Sequence, residues 1–325
     1  MNRPLVIPEH IAQRQTATRT ILECKGVSHG FASKRVLYDI NLRVLRGQIV
    51  ALVGPSGCGK STLFRAILGT HPTQSGQVLM DGRPVLRPCR DVGIVYQRYT
   101  LYPFLTAQDN VAFGPMLDRT GLPDRALFWK FRQTYRGQLD EAAKWLEKVG
   151  LGSCLRAYPS ELSGGMCQRV AIAQALIMKP KVLLLDEPFG ALDEATREEL
   201  QAMLLELYQE NLCAAARDEE PPYTIVIVTH ELNEALFVSD RVVGLSQYWK
   251  WEEAGLSECP GSTIIYDAVA PVFTPSAPRE FDQLREQRTE IRAAVMDAEP
   301  RRAREKYVRF WRELDEGLGN GILKR

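Results

Sequence analysis

Long apolar runs, an excess of either charge and paired cysteines are all missing from this chain. No stretch approaches the ~18 consecutive apolar residues of a membrane span. The first twenty residues, with Arg3, Glu9, His10, Arg14 and Arg19, lack the apolar core of a secretory signal. A soluble, cytosolic chain is expected, one that works on a membrane only through a partner. The 41 basic and 40 acidic residues leave a net charge of +1, which gives no whole-chain electrostatic case for nucleic acid. The seven cysteines, Cys24, Cys58, Cys89, Cys154, Cys167, Cys213 and Cys259, form no C-x-x-C pair and no metal-ligand spacing, so a reducing compartment is the natural setting. Internal repeats, low-complexity tracts and sustained heptads are absent too.

What is present is the pattern of an α/β protein. At 325 residues the chain can bury one large core with appended elements. Residues 1–19 are polar and read as a tail. From Thr20 come short β-rich runs at 21–27, 36–44, 48–53, 77–80 and 92–96. The later runs 182–185 and 224–228 are branched or Leu-rich without alternation, as in parallel strands buried on both faces. Between Arg98 and Ser160, turn signals at Pro103, Gly114-Pro115 and Gly121-Leu-Pro123 separate helical stretches such as 139–149. This reads as a helical subdomain inserted into the core. Cys213 to Pro222 (CAAARDEEPP) reads as an exposed loop. After Ser246 the sequence predicts a strand at 263–267, a linker marked by Pro271, Pro275 and Pro278, and two basic helices at 280–296 and 301–314.

Three motifs carry chemistry. The first is a phosphate loop, Gly54-Pro55-Ser56-Gly57-Cys58-Gly59-Lys60-Ser61-Thr62, directly after the apolar run 49–53. Its glycines let successive N–H groups turn inward around phosphates. Lys60 can reach the β/γ-phosphates, Ser61 can offer its hydroxyl to Mg²⁺, and the following helix adds its positive end. The second is the strand 182–185 ending in Asp186-Glu187-Pro188. Asp186 is placed to hold the Mg²⁺ shell, and Glu187, facing elsewhere, to act as general base for water. The third is Leu162-Ser163-Gly164-Gly165-Met166 before a strong helical pattern. Ser163 fits an N-cap and the glycines bare the N-terminal amides, which makes an anion receptor.

The three together resemble the ATP-binding cassette (ABC) ATPases, over roughly residues 20–245. The resemblance implies a P-loop NTPase (RecA-like) α/β core at 20–97 and 167–245, with an antiparallel β subdomain, a helical signature subdomain at 98–166 and a C-terminal extension at 246–325. It gives Gln97, at a strand end, contact with Mg²⁺ and the attacking water. His230 takes the place of the switch histidine that contacts the γ-phosphate. Ahead of the phosphate loop the family places an aromatic ring that stacks on adenine. Phe31 fits it, with His29 as competitor and a core role as the alternative. Ser163, Gly164 and Gly165 would bind the γ-phosphate held by a second subunit, and Ala191-Leu192-Asp193 matches the loop that runs along that interface. The family usually has glutamine where Met166 stands, so altered contacts to the nucleotide are expected there.

The segment 93–114 (GIVYQRYTLYPFLTAQDNVAFG) is most similar to cassettes of the nitrate/sulfonate/taurine importer group. That likeness implies ATP and Mg²⁺ as cofactors and a homodimer on the cytosolic face of the membrane. It further implies a permease docked near Tyr99 to Val111, a solute-binding protein, and no nucleic acid. The rival is a non-transport cassette of the repair, chromosome or assembly kind, which usually inserts a long coiled coil or carries two cassettes in one chain. The basic, aromatic segment 301–314 would either lie on an anionic membrane surface or, more commonly for such a stripe, pack back on the core.

Overall fold

Branched and alternating residues after Thr20 form two long antiparallel strands, β1 (Thr20–Phe31) and β2 (Lys34–Leu45). They open a computed structural model that describes residues 19–31, 34–98, 100–119, 128–190, 192–275 and 284–312. The chain divides into two compact units, Met1–Cys89 with Leu204–Arg325, and Arg90–Met203. The expected tail at 1–19 lies outside the described residues except for Arg19.

In the first unit, β1 and β2 belong to an antiparallel sheet with β4 (Ser75–Met80) and β5 (Arg83–Pro84), in the order β2-β1-β4-β5. Pro84 sits in the edge strand, where a missing N–H costs no ladder bond. Between β2 and β4 in sequence comes β3 (Ile49–Val53), a strand of the other sheet, buried at every position, which leads into α1 (Lys60–Leu68). This helix buries Leu63, Phe64, Ala66, Ile67 and Leu68 and stops at Gly69, whose φ of 78° is the left-handed cap that favours glycine.

The second unit pairs β6 (Val92–Val95) in parallel with β7 (Val182–Asp186). Its helices are α2 (Ala107–Arg119), α3 (Phe128–Lys148) and α4 (Gly164–Leu176). The helix expected at 139–149 is the last part of the longer α3. The 98–166 span expected as a helical insert lies within this unit.

The long helix α5 (Glu194–Ala216) follows. The loop expected from Cys213 starts later, at Arg217, because three alanines, the strongest helix formers, continue the helix through Ala216. Asn211 then fastens the connection: its amide donates to the carbonyls of Tyr223 (2.6 Å) and Gly47 (3.0 Å), and its Oδ1 accepts from the Tyr223 N–H (2.9 Å).

Strand β8 (Ile225–Thr229), helix α6 (Leu232–Val238), and strands β9 (Arg241–Ser246) and β10 (Thr263–Val269) complete the first unit's second sheet. There β3 lies parallel between β8 and β9, and β10 pairs antiparallel with β9. Every residue of β8, β9 and β10 is buried, which is why the sequence shows no alternation there.

The C-terminal prediction needs correction. Within 280–296 the helix α7 occupies Arg285–Ile291 and a wider turn continues it to Met296. The second helix, expected at 301–314, does not form over 301–309. That segment holds a turn at 304–306 and then β11 (Tyr307–Val308), paired in parallel to β10, and a helical turn begins only at Phe310. Its cations find carboxylates on other elements: Arg301 on Glu252 (2.5 Å), Arg304 on Asp39 (2.7 Å) and Arg309 on Glu290 (2.6 Å). Phe310 is fully buried beneath the Arg241 guanidinium, 3.8 Å from its ring centroid. The segment packs back on the core.

Candidate functional site

The phosphate loop is shaped by glycines that admit no side chain. A Cβ on Gly54 would lie 2.2 Å from the Leu245 carbonyl oxygen. Gly57 and Gly59 have φ of 78° and 100°, in the region open to glycine, and between them the Cys58 N–H closes a turn on the Pro55 carbonyl at 3.3 Å. Pro55 is half-buried, while Ser56 and Gly57 are exposed at the rim. Lys60 is buried, and its Nζ donates to the carbonyls of Gly54 (2.7 Å) and Pro55 (3.0 Å). Gly59, the N-cap of α1, offers the first turn no side-chain hydrogen bond, and Ser61 there is exposed and Thr62 half-buried. Cys58 is buried, and burial pushes its thiol above the ordinary range, so it acts as packing and not as a nucleophile.

Strand register brings His230 to the same edge. Val53 is paired with Thr229, so Gly54 and exposed His230 leave β3 and β8 side by side. The Thr229 hydroxyl donates to Glu234 (2.9 Å) and accepts from the Glu231 N–H (3.1 Å), which fixes the turn that carries the histidine.

The same logic operates in the second unit. Val95 is paired with Leu185, so Gln97 and the acids Asp186 and Glu187 emerge together from β6 and β7. Gln97 Nε2 donates to Glu187 Oε2 at 3.0 Å. That bond turns the Gln97 carbonyl oxygen away from Glu187. Glu187 itself has φ 47°, a left-handed conformation unusual for a non-glycine residue.

Ser163 caps α4 as expected: its Oγ accepts from the Met166 N–H at 3.2 Å. The hydroxyl hydrogen is left as a donor for an anion. The glycines have separate tasks. Gly164 is exposed at the helix tip, whereas Gly165 is buried where a Cβ would fall 1.6 Å from Thr196 Cγ2. Of the segment 191–193, Ala191 is outside the described residues. Asp193 caps α5, accepting from the Thr196 N–H (3.0 Å) and hydroxyl (2.7 Å), bonds that hold its carboxyl below the usual range.

Phe31 and His29 separate by exposure. Phe31 is 45% exposed, while His29 is 8% exposed and its Nδ1 lies 3.1 Å from the Pro72 carbonyl. A carbonyl only accepts, which assigns the proton to Nδ1. His29 packs edge-on to Phe31 at 4.8 Å, and His71 stands 5.9 Å from both. His71 escaped the sequence reading because nothing local marks a ring forty residues away as a neighbour. Asn110 escaped it as well. Fully buried, it bonds the N–H and C=O of Tyr102 and the carbonyls of Leu105 and Thr106, and so fixes the loop that presents Tyr102 and exposed Phe104.

Among the described residues no helix is long and apolar enough to cross a membrane, and no group of three or more His, Cys, Asp or Glu is placed to hold a metal.

Comparison with known proteins places this geometry. The ABC transporter family model matches residues 37–190. The chain is 39% identical to the aliphatic sulfonates import ATP-binding protein SsuB of Bacillus cereus, over 68% of this chain and 79% of that protein. It is 40% identical to the nitrate import ATP-binding protein NrtD of Synechocystis, over 69% and 77%. Among solved structures it is similar to the ATP-binding cassette MJ0796, a dimer in a post-hydrolysis state bound to ADP and Pi. That likeness has a TM-score of 0.58 and 26% identity, and covers 78% of this chain and all of that one. With its phosphate loop, its paired acids and its capped Ser-Gly-Gly turn on a mixed α/β scaffold, the chain belongs to the ABC transporter family of ATP-hydrolysing, ATP-binding subunits.

Proposed function

We propose that this chain is the ATPase subunit of a solute importer of the nitrate/sulfonate/taurine type, working as a homodimer on the cytoplasmic face of a membrane. It would energise a separate permease, docked near Tyr99 to Val111, that is served by a solute-binding protein. Tyr99 lies outside the described residues, while Tyr102 and Phe104 present exposed rings within that stretch. The observation that carries the reading is the presence of two anion receptors in one chain. One is the start of α1, where the N-cap Gly59 brings no side chain; the other is the start of α4, where the Ser163 Oγ accepts from Met166 and its hydroxyl hydrogen can donate. One polyphosphate needs only the first, so the second serves the nucleotide of another copy.

In this scheme the loop from Gly54 to Thr62 and the ammonium of Lys60 hold the β/γ-phosphates, and Phe31 stacks on the base. The Ser61 hydroxyl, the Asp186 carboxylate and the carbonyl side of Gln97 are hard oxygen donors of the kind that would hold Mg²⁺. The ion, when bound, would supply positive charge to offset that of the phosphates. Glu187, oriented by the Gln97 amide, takes the proton from the attacking water, and His230 donates toward the γ-phosphate. The curated relatives are import subunits, which favours transport over a repair or assembly role.

Mixing subunits tests the two-copy requirement. Lys60→Ala and Ser163→Arg proteins should each be inactive alone, and ATP hydrolysis should reappear when they are combined, because the mixed dimer keeps one complete set. Mixed dimers that form yet stay inactive would refute it. Recovery of an integral-membrane protein on purification supports the transport role, and recovery of ribosomes or nucleic acid alone overturns it.

A further inference from the structure

Residues 36–39 of β2 are held from two directions. On one side they form the wall of the phosphate loop. A Cβ on Gly59 would stand 2.8 Å from both Leu37 Cδ2 and Val36 Cγ1, so these two side chains press directly on the residue that precedes Lys60. Gly59 at φ 100° has no side chain with which to resist them.

On the other side the same four residues are gripped by the segment after β9. The Ser262 N–H donates to the Val36 carbonyl and the Tyr38 N–H donates to the Ser262 carbonyl, both at 2.9 Å. Gly261, with φ 118°, approaches so closely that a Cβ would lie 3.0 Å from the Val36 carbonyl. The Trp249 indole, almost fully buried, donates to the Gly261 carbonyl at 3.0 Å and stacks on Tyr38 at 5.9 Å with 19° between the rings. Arg304 closes the set, donating to the Asp39 carboxylate and carbonyl at 2.7 Å each.

We propose that Trp249, Gly261–Ser262 and Arg304 are positioning residues for the phosphate loop, so that the C-terminal extension sets nucleotide affinity through Val36 and Leu37. This rests on the reading of Gly54 to Thr62 as the ATP-binding loop. None of the positioning residues touches nucleotide; each fixes the wall against which Gly59 is shaped. Coupling of this kind is reciprocal: if the clip tightens the loop, a nucleotide in the loop tightens the clip.

Two measurements on the full chain test it. The first compares ATP affinity and turnover in Trp249→Phe/Arg304→Gln, which keeps the ring stack and removes two donors, and in Gly261→Ala. Affinity should weaken by at least about fivefold with kcat little changed. The second follows hydrogen exchange at the amides of Tyr38 and Ser262. A non-hydrolysable ATP analogue with Mg²⁺ should slow both in the wild type and neither in Lys60→Ala. If Gly261→Ala does not fold, the milder double variant and the exchange experiment carry the test. A folded double variant with wild-type ATP affinity, or exchange at those amides that ignores the nucleotide, overturns the proposal. The loop reading fails separately, if Lys60→Ala binds ATP like the wild type.

Discussion

Glu187 combines a carboxylate with a left-handed backbone, a conformation that costs a non-glycine residue about 1–3 kcal/mol and persists only where the surroundings impose it. The Gln97 bond to Oε2 accompanies that geometry. Glu187→Gln keeps the size and the backbone but removes the base. Its steady-state ATP hydrolysis should fall by ~10²–10⁴-fold while ATP binding is retained. Turnover at the wild-type rate would remove Glu187 from the role of base. At this scale the sequence was most legible where chemistry demands particular atoms at fixed spacing: Gly54 to Thr62, Asp186-Glu187 and Ser163. It was least legible where a residue works through a distant partner. The Gln97–Glu187 bond spans ninety positions, and no local pattern predicts His71 beside Phe31. The Met166 backbone N–H donates to the Ser163 cap, a contact that any residue except proline would supply and that leaves no signature in the side chain.

The helices show what glycine and alanine decide in this chain. At the start of α4, Gly165 lets Thr196 of α5 come so near that any Cβ would overlap it. Gly165→Val should therefore push the two helices apart and destabilise the second unit by roughly 1–3 kcal/mol, the usual cost of overpacking. Unfolding by denaturant would measure it, and an unchanged midpoint would show that the helices can yield. Element existence was readable from periodicity, as for 139–149, and from unbroken branched runs, as for β7 and β8. The ends were not. Composition suggested a loop from Cys213, but Ala214 to Ala216 favour helix more than the following charges disfavour it. The 301–314 stripe looked helical because its aromatic residues recur at helical spacing. Its arginines instead reach carboxylates on three other elements, and its backbone pairs with β10. Such partners are fixed by tertiary structure and leave no local trace.

Over the whole molecule, the extension after Ser246 is built into the first unit through a buried charge. Arg241 is fully buried and makes paired hydrogen bonds of 2.7 Å to both oxygens of Asp267. It also donates to the Arg43 carbonyl (2.7 Å) and lies over Phe310. Arg241→Leu would leave Asp267 as a lone buried acid and should cost about 3–5 kcal/mol, whereas replacing both residues with leucine should recover much of that loss. Thermal or denaturant unfolding of the three proteins distinguishes the cases. Equal losses in the single and double variants would mean that packing, and not the orphaned charge, dominates.

The grip of Gly261–Ser262 on β2 also sets an order of events during synthesis. Val36 and Ser262 are joined by a hydrogen bond across more than two hundred residues of chain, and the first unit draws its strands from before and after the second unit's stretch of sequence. Contacts so remote in sequence close late. Translated from the N-terminus, the continuous stretch Arg90–Met203 leaves the ribosome whole while the first unit still waits for β8, β9 and the clip. The nascent chain thus carries its phosphate motif well before the wall that shapes it is finished by the later segment around Gly261–Ser262.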